Sequence, residues 1–474
     1  MANENVLSVR YATPEMNNIF SEKGKILLER ELWIAVMIAQ KSLGLNILSE
    51  DIEKFEATKG TIDLEEIKSI ESITKHDVKA KIEYFVKIAG ASQQLHRGMT
   101  SRDLTDNVEQ MQYWNASKLI LDRNVSVLRH FVDNSHKYSN YILARTHNQP
   151  AQATLLGRRF SMWGEELMLH LGIFENFVEN YPLRGIKGAI GTQTDMIKLL
   201  GSKEKVRALE EVVAEKLGFK KILKSTGQVY PRSLDYALCN NLAQLSAAPA
   251  NFAFTMRLMA GFGLVNEGFD EEQSGSSAMP YKMNTRSCER INGFANLQKM
   301  YADGASRISG DQWQEGDVSC SAPRRIIGPD SFYTMDGLCE TTLTVLNNMK
   351  AYEGEIVHEL DKYLPFIVTT ELMQMATKKG VGREEAHKAI KRHAVAELDR
   401  MRREGSSKTN LPTLLANEPI FSGLITKEQI NEIIANKEGQ IGNAKMQIKG
   451  VSSDAQYFFS KYAQGRDYEP RPIL

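Results

Sequence analysis

Apolar residues recur at spacings of three and four along most of this chain, and proline, which interrupts helices, is scarce at 13 in 474 residues. That pattern belongs to helices with one buried face. Leu121, Val125, Leu128 and Val132 form one stripe; Phe160, Trp163, Leu167, Leu171, Phe174 and Val178 form another. Between Leu242 and Phe269 apolar residues are too dense for a single stripe, which predicts a helix buried on most sides. No series of alternating β-branched runs competes, so the expected fold is all-α. One chain offers limited surface for burying such helices. Several copies sharing a bundle of long helices solve that problem.

At about 150 residues per domain, a chain of this length divides into about three. The pattern breaks near 101–106, before the first long helix, and again in 352–364, where "YEGEIVHELDKYLP" interrupts the periodicity. The expected units are an N-terminal helical domain 1–105, a central long-helix domain 106–360 and a C-terminal helical domain 361–474. In the last, Thr426 with Gln429 reads as a capping box, and "KKGVGREEAH" as a turn into a fresh helix.

Lysine plus arginine equals aspartate plus glutamate at 59 each, so no global field draws the chain to nucleic acid or to an anionic membrane. Any bound anion must meet a local cluster. Cys239, Cys288, Cys320 and Cys339 are far apart with no CxxC pair, which fits neither a zinc site nor a disulfide framework and suits reduced thiols in the cytoplasm. The N-terminal stretch lacks a basic region followed by an apolar one, and no run of ~18 apolar residues occurs, so neither export nor membrane spanning is expected.

Three polar constellations stand out. In "GSSAMPYKMNTRSCER", Gly275 to Arg290, Gly275 permits unusual backbone angles and Pro280 prevents a helix, which predicts a loop with a helix resuming near Arg286. Such a loop can aim backbone N–H groups and the hydroxyls of Ser276 and Ser277 at an anion, with Lys282 adding charge. A polar connector would read alike through the serines, but not through the Lys-Asn-Glu-Arg continuation. In "RTHNQPAQATLLGRR", His147 lies outside the following helix pattern, near a helix entrance, among Thr146, Gln149 and Gln152, which can fix its tautomer. The third set is scattered: Arg10 and Tyr11; Lys75, His76 and Asp77; Thr100 and Ser101 in "HRGMTSRDLTDN". Each alone reads as a solvated loop or helix end rather than as a site.

Taken with "TGQVYPR" and "SAPRR", these segments resemble the fumarase/aspartase superfamily, whose members share a "GSSxMPxKxN" loop; "MPYK", "KHDV" and "TGQ" make the chain most similar to its adenylosuccinate lyase family. The resemblance implies a three-domain, mainly helical homotetramer with a shared long-helix bundle and active sites built from three subunits. The implied reaction releases fumarate from two small-molecule substrates, adenylosuccinate and SAICAR, without metal or organic cofactor. Ser276 matches the family's general base and His147 its general acid. Arg10, Tyr11, Lys75, His76, Asp77, Thr100, Ser101, Gln228, Lys282, Asn284, Arg290, Ser321 and Arg325 match substrate-binding positions, and Glu289 a supporting one.

Two departures from the family pattern matter. "QWQEGDVS" places Gly316 where many members carry a substrate-binding arginine, leaving Arg324 or Arg325 as the expected substitute. Thr285 replaces a proline, which should loosen the exit of the 275–285 loop. Argininosuccinate lyase and carboxymuconate cycloisomerase are the rival branches. A catalytically silent protein of the same fold would have to lack the acid or the base, and this chain has both.

Overall fold

The computed structural model describes residues 5–269 and 279–471. Four long helices form the body: Ser101–Lys137, Leu156–Glu179, Arg286–Ile308 and Ser321–Asn348. The first, at 37 residues, extends for about 55 Å at 1.5 Å per residue. It starts where the Asp103 carboxylate turns back to accept the Thr100 N–H at 2.8 Å, satisfying an otherwise unpaired donor of the first turn. His136 and Lys137 in its last turn complement the helix dipole.

Both predicted stripes are buried. Phe160 and Trp163 meet edge to face at 5.2 Å, and Trp163 meets Phe252 in the same way at 5.2 Å, locking the Leu156–Glu179 helix onto Ala247–Gly261. The dense segment after Leu242 behaves differently from expectation. It is split at Ser246 between the Ser233–Leu245 and Ala247–Gly261 helices, and Phe254, Leu258 and Phe262 on the second face solvent. Met162, Leu169 and Ile173 form a second exposed apolar row on Leu156–Glu179. The expected burial on most sides is therefore incomplete within one chain.

The segment expected to interrupt the helical pattern at 352–364 is instead largely helix, Glu353–Ile367, with Pro365 inside its last turn. Its buried residues straddle two cores. Ile356 packs in the main one, whereas Leu360 and Leu364 join a second core that holds most buried residues up to Ile448, together with Leu143, Ala153 and Leu155 of a β-hairpin. The capping box at Thr426 forms, and Arg383–Glu404 opens after Gly380, at φ +93°, and Gly382, as expected. Strands among the described residues make three two-stranded sheets. All four cysteines are buried and unpaired. Among the described residues no helix is long and apolar enough to cross a membrane.

Buried charge ties the N-terminal segment to this body. Asp336, in the Ser321–Asn348 helix, accepts the Thr13 N–H at 2.6 Å and lies 3.8 Å from Arg123. Burial pushes its carboxyl up from 3.8 to about 6, with the Thr13 N–H and Arg123 opposing and Glu340 adding to the rise. The folded state thus holds a proton that the unfolded chain releases, and stability falls as pH rises from about 4 to about 6. Asp336→Asn keeps an acceptor for Thr13 without the charge. Its stability advantage over wild type should grow through that window to about 3 kcal/mol and then stay level, by ~1.4 kcal/mol per pH unit. Chemical denaturation at a series of pH values reads this directly, and a constant difference would refute it.

Candidate active site

The expected site residues occupy element ends. Arg10 closes the Val6–Arg10 helix and Tyr11 caps it. Lys75, left-handed at φ 52°, joins Leu64–Thr74 to Asp77–Ala89, and His76 caps the second of these helices, its Nδ1 accepting the Lys79 N–H at 3.4 Å. Thr100 and Ser101 stand at the start of the long helix, and Ser321 is the first residue of its own. His76, Thr100, Ser101 and Ser321 are thus at helix N-termini, whose backbone N–H groups suit an anionic ligand, whereas Arg10 and Tyr11 are at a C-terminal end and bring only their side chains.

Within one chain the fold gathers some of these groups. The Arg290 guanidinium lies over the Tyr11 ring, 5.4 Å from its centroid, and Phe294 meets the same ring edge-on at 5.0 Å. Thr100 and Gln228 are joined through a buried relay. Asp103 accepts from the Thr100 N–H and, at 2.6 Å, from Arg184, whose other nitrogen donates to the Gly227 carbonyl at 3.2 Å. His96, which carries no motif of its own within "HRGMTSRD", belongs to the same region. It is left-handed at φ 65° and its Nδ1 accepts the Trp33 indole N–H at 3.1 Å. Burial lowers its pKa; Asp103 works against that and His76 adds to it, so the two imidazoles lie within electrostatic reach. The signal was a histidine just upstream of a helix start.

His147 is not at a helix entrance. It and Asn148, at φ 50° and 59°, form the two-residue turn of a hairpin between Tyr141–Thr146 and Gln149–Leu155. Two left-handed central residues are what a type I′ turn requires, and asparagine suits it better than histidine does. The arms are anchored: Arg145 pairs with Glu359 and lies over the Phe262 ring at 4.6 Å. The tip, Thr146 to Gln149, is exposed. A histidine held in a costly conformation at a rigidly supported, exposed tip suits presentation to another surface.

Ser276, with Gly275 and Ser277, lies outside the described residues, but both flanks of that loop are defined. Buried Glu267 accepts the N–H groups of Ser287 at 2.9 Å and Cys288 at 3.0 Å, capping the helix that begins at Arg286 as expected. Asn266 donates to the Tyr352 hydroxyl and accepts the Gly268 N–H at 2.9 Å. Glu267 was not anticipated, because a glutamate before a glycine carries no motif. It secures the exit that Thr285, lacking proline's rigidity, was expected to loosen. Lys282 is exposed just upstream, and Asn284, Glu289 and Arg290 follow at the helix start.

The arginines fall into two classes. Arg184 with Asp103 and Arg232 with Asp106 are fully buried ion pairs. Arg324 is committed as well: it binds Asp235 at 2.6 Å, Glu109 at 2.7 Å and the Tyr230 hydroxyl. Burial opposes its charge, but Tyr230, Asp235 and Glu109 more than reverse that and hold it above the usual range. Arg324 therefore cannot substitute for a missing arginine at position 316. Arg325, one residue on, is exposed, as are Arg10, Lys75 and Lys282.

Comparison with known proteins turns this arrangement into a family assignment. A family model described as lyase matches residues 11–297, and one described as adenylosuccinate lyase C-terminus matches 365–451. The adenylosuccinate lyase of Saccharomyces cerevisiae is 35% identical over 392 residues, covering 81% of each chain. The chain belongs to the adenylosuccinate lyase family. Another member, from Schistosoma mansoni, is 32% identical over 94% of this chain and 93% of its own. In fold, this lyase is similar to the 3-carboxy-cis,cis-muconate lactonizing enzyme of Pseudomonas putida, with a TM-score of 0.80 at 18% identity over 96% of this chain and all of that one. At that identity the likeness speaks for the shared all-α architecture alone. The family membership rests on the sequence relatives.

Proposed function

We propose that the protein eliminates fumarate from adenylosuccinate, giving AMP, and from succinyl-aminoimidazole carboxamide ribotide (SAICAR), giving the carboxamide ribotide AICAR, in purine nucleotide biosynthesis. Ser276 is the general base that takes the proton from the carbon beside a carboxylate. His147 is the general acid that protonates the departing nitrogen. A hydroxyl serves as base only where its alkoxide is favoured, and a loop of N–H dipoles beside Lys282 supplies that bias. Charge developing on the carboxylate is held by donors fixed beforehand, each worth ~2.7–4 kcal/mol in comparable sites.

The substrate's two carboxylates and phosphate require cations that a ligand can reach. Arg10, Lys75, Lys282 and Arg325 are exposed and Arg290 partly so, in contrast to the fully buried Arg184 and Arg232. Tyr11, His76, Asp77, Thr100, Ser101, Gln228, Asn284 and Ser321 complete the binding surface, with Glu289 in support. The reading includes a cytoplasmic homotetramer of chains divided at 1–105, 106–360 and 361–474, in which the exposed rows of Met162, Leu169 and Ile173 and of Phe254, Leu258 and Phe262 are covered by other copies. The hairpin tip then delivers His147 to a neighbour's site.

The observation that carries this substrate choice is the match of residues 365–451 to the C-terminal unit of adenylosuccinate lyases. Purified protein should release fumarate from adenylosuccinate and SAICAR and not from argininosuccinate, followed by fumarate absorbance. Release from argininosuccinate alone would overturn the assignment.

A further inference from the structure

We propose that Gly316 is a positioning residue that sets the pose of the Gln228 side chain, an inference that rests on reading Gln228 as a substrate contact. Three loops lie against one another here, and each contact passes through a glycine. Gly191, at φ +89°, is so close to the Thr226 carbonyl that a Cβ would fall on its oxygen, and Gly227 sits likewise against the Glu315 carbonyl. The Gln228 N–H donates to that same Glu315 oxygen at 2.5 Å. From below, Arg184 holds the stack by donating to the carbonyls of Gly188 and Gly227, both at 3.2 Å, while paired with Asp103.

The backbone at 227–228 is thus gripped from both sides, by Arg184 and by Glu315. What remains adjustable is the Gln228 side chain, and Gly316 faces it. A Cβ at position 316 would come within 2.9 Å of Gln228 Oε1 and 3.1 Å of Gln228 Cβ. A clash with the amide alone could be relieved by a small rotation. The contact with Cβ, which no rotamer change can move, is relieved only by a shift of the backbone that carries it, and the amide moves with that backbone. Gly316 lies outside the left-handed region, so alanine is compatible with its backbone and any effect must come from this contact.

A double-mutant cycle over Gly316→Ala and Gln228→Ala, with adenylosuccinate as substrate, tests the inference. Each single variant should raise KM roughly 10- to 100-fold, the range of one hydrogen bond to a charged group, with kcat within about twofold of wild type. The double variant should be no worse than Gln228→Ala. Independent multiplication of the two effects, or normal kinetics in Gly316→Ala beside an impaired Gln228→Ala, overturns the positioning role while leaving Gln228 in the site. Normal kinetics in Gln228→Ala instead removes Gln228 from the substrate surface, and the inference falls with it. Thermal transitions of the three variants, expected within a few degrees of wild type, separate these outcomes from misfolding.

Discussion

Ser276→Ala is expected to lower kcat by about 10²–10⁴-fold, the usual contribution of a positioned acid or base, while leaving substrate affinity nearly unchanged. The carbon acid is weak, and no other group takes its proton at the required place in the proposed mechanism. Affinity should persist because binding is spread over Arg10, Lys75, Lys282, Arg290 and Arg325, none of which the substitution touches. Loss of turnover without loss of binding marks an interaction made only in the transition state. Steady-state fumarate release gives kcat, and calorimetric titration of the slow variant with adenylosuccinate gives the dissociation constant. Turnover at the wild-type rate would remove Ser276 from the mechanism. Equal losses in binding and turnover would make it a substrate contact instead.

The amphipathic helices were legible because burial alone dictates them. A stripe such as Phe160 to Val178 needs no knowledge of its partner to be read. The segment from 242 to 269 misled for the converse reason: apolar density reports that surface must be covered but not by which chain, so Phe254 and Leu258 were expected inside and are exposed. His147 shows a second limit. Its exposed hairpin tip depends on register between Tyr141–Thr146 and Gln149–Leu155 and on anchoring by Glu359, more than 200 positions away. Arg324 and Arg325 show a third. Adjacent and chemically identical in sequence, they differ because a helix turns one inward onto Asp235 and Glu109 and the other outward. Glu267 could not be read at all, since capping a helix that begins 19 positions later is a tertiary event.

The second large effect concerns the assembly. Variants His147→Ala and Ser276→Ala, each nearly inactive alone, should regain activity when mixed under conditions that let subunits exchange. If one copy supplies the imidazole and another the hydroxyl, random equal mixing leaves about one site in four with both groups intact, so activity should climb toward a quarter of wild type. The geometry of the hairpin makes this a strong test. The tip carrying His147 is exposed, while the arms behind it are fastened to the Glu353–Ile367 helix by Arg145 and Glu359. Rise of activity with the kinetics of subunit exchange, absent when either variant is incubated alone, is the expected result. No recovery despite exchange verified by native mass spectrometry would mean that both groups come from one chain, and the hairpin tip would then serve its own chain's site.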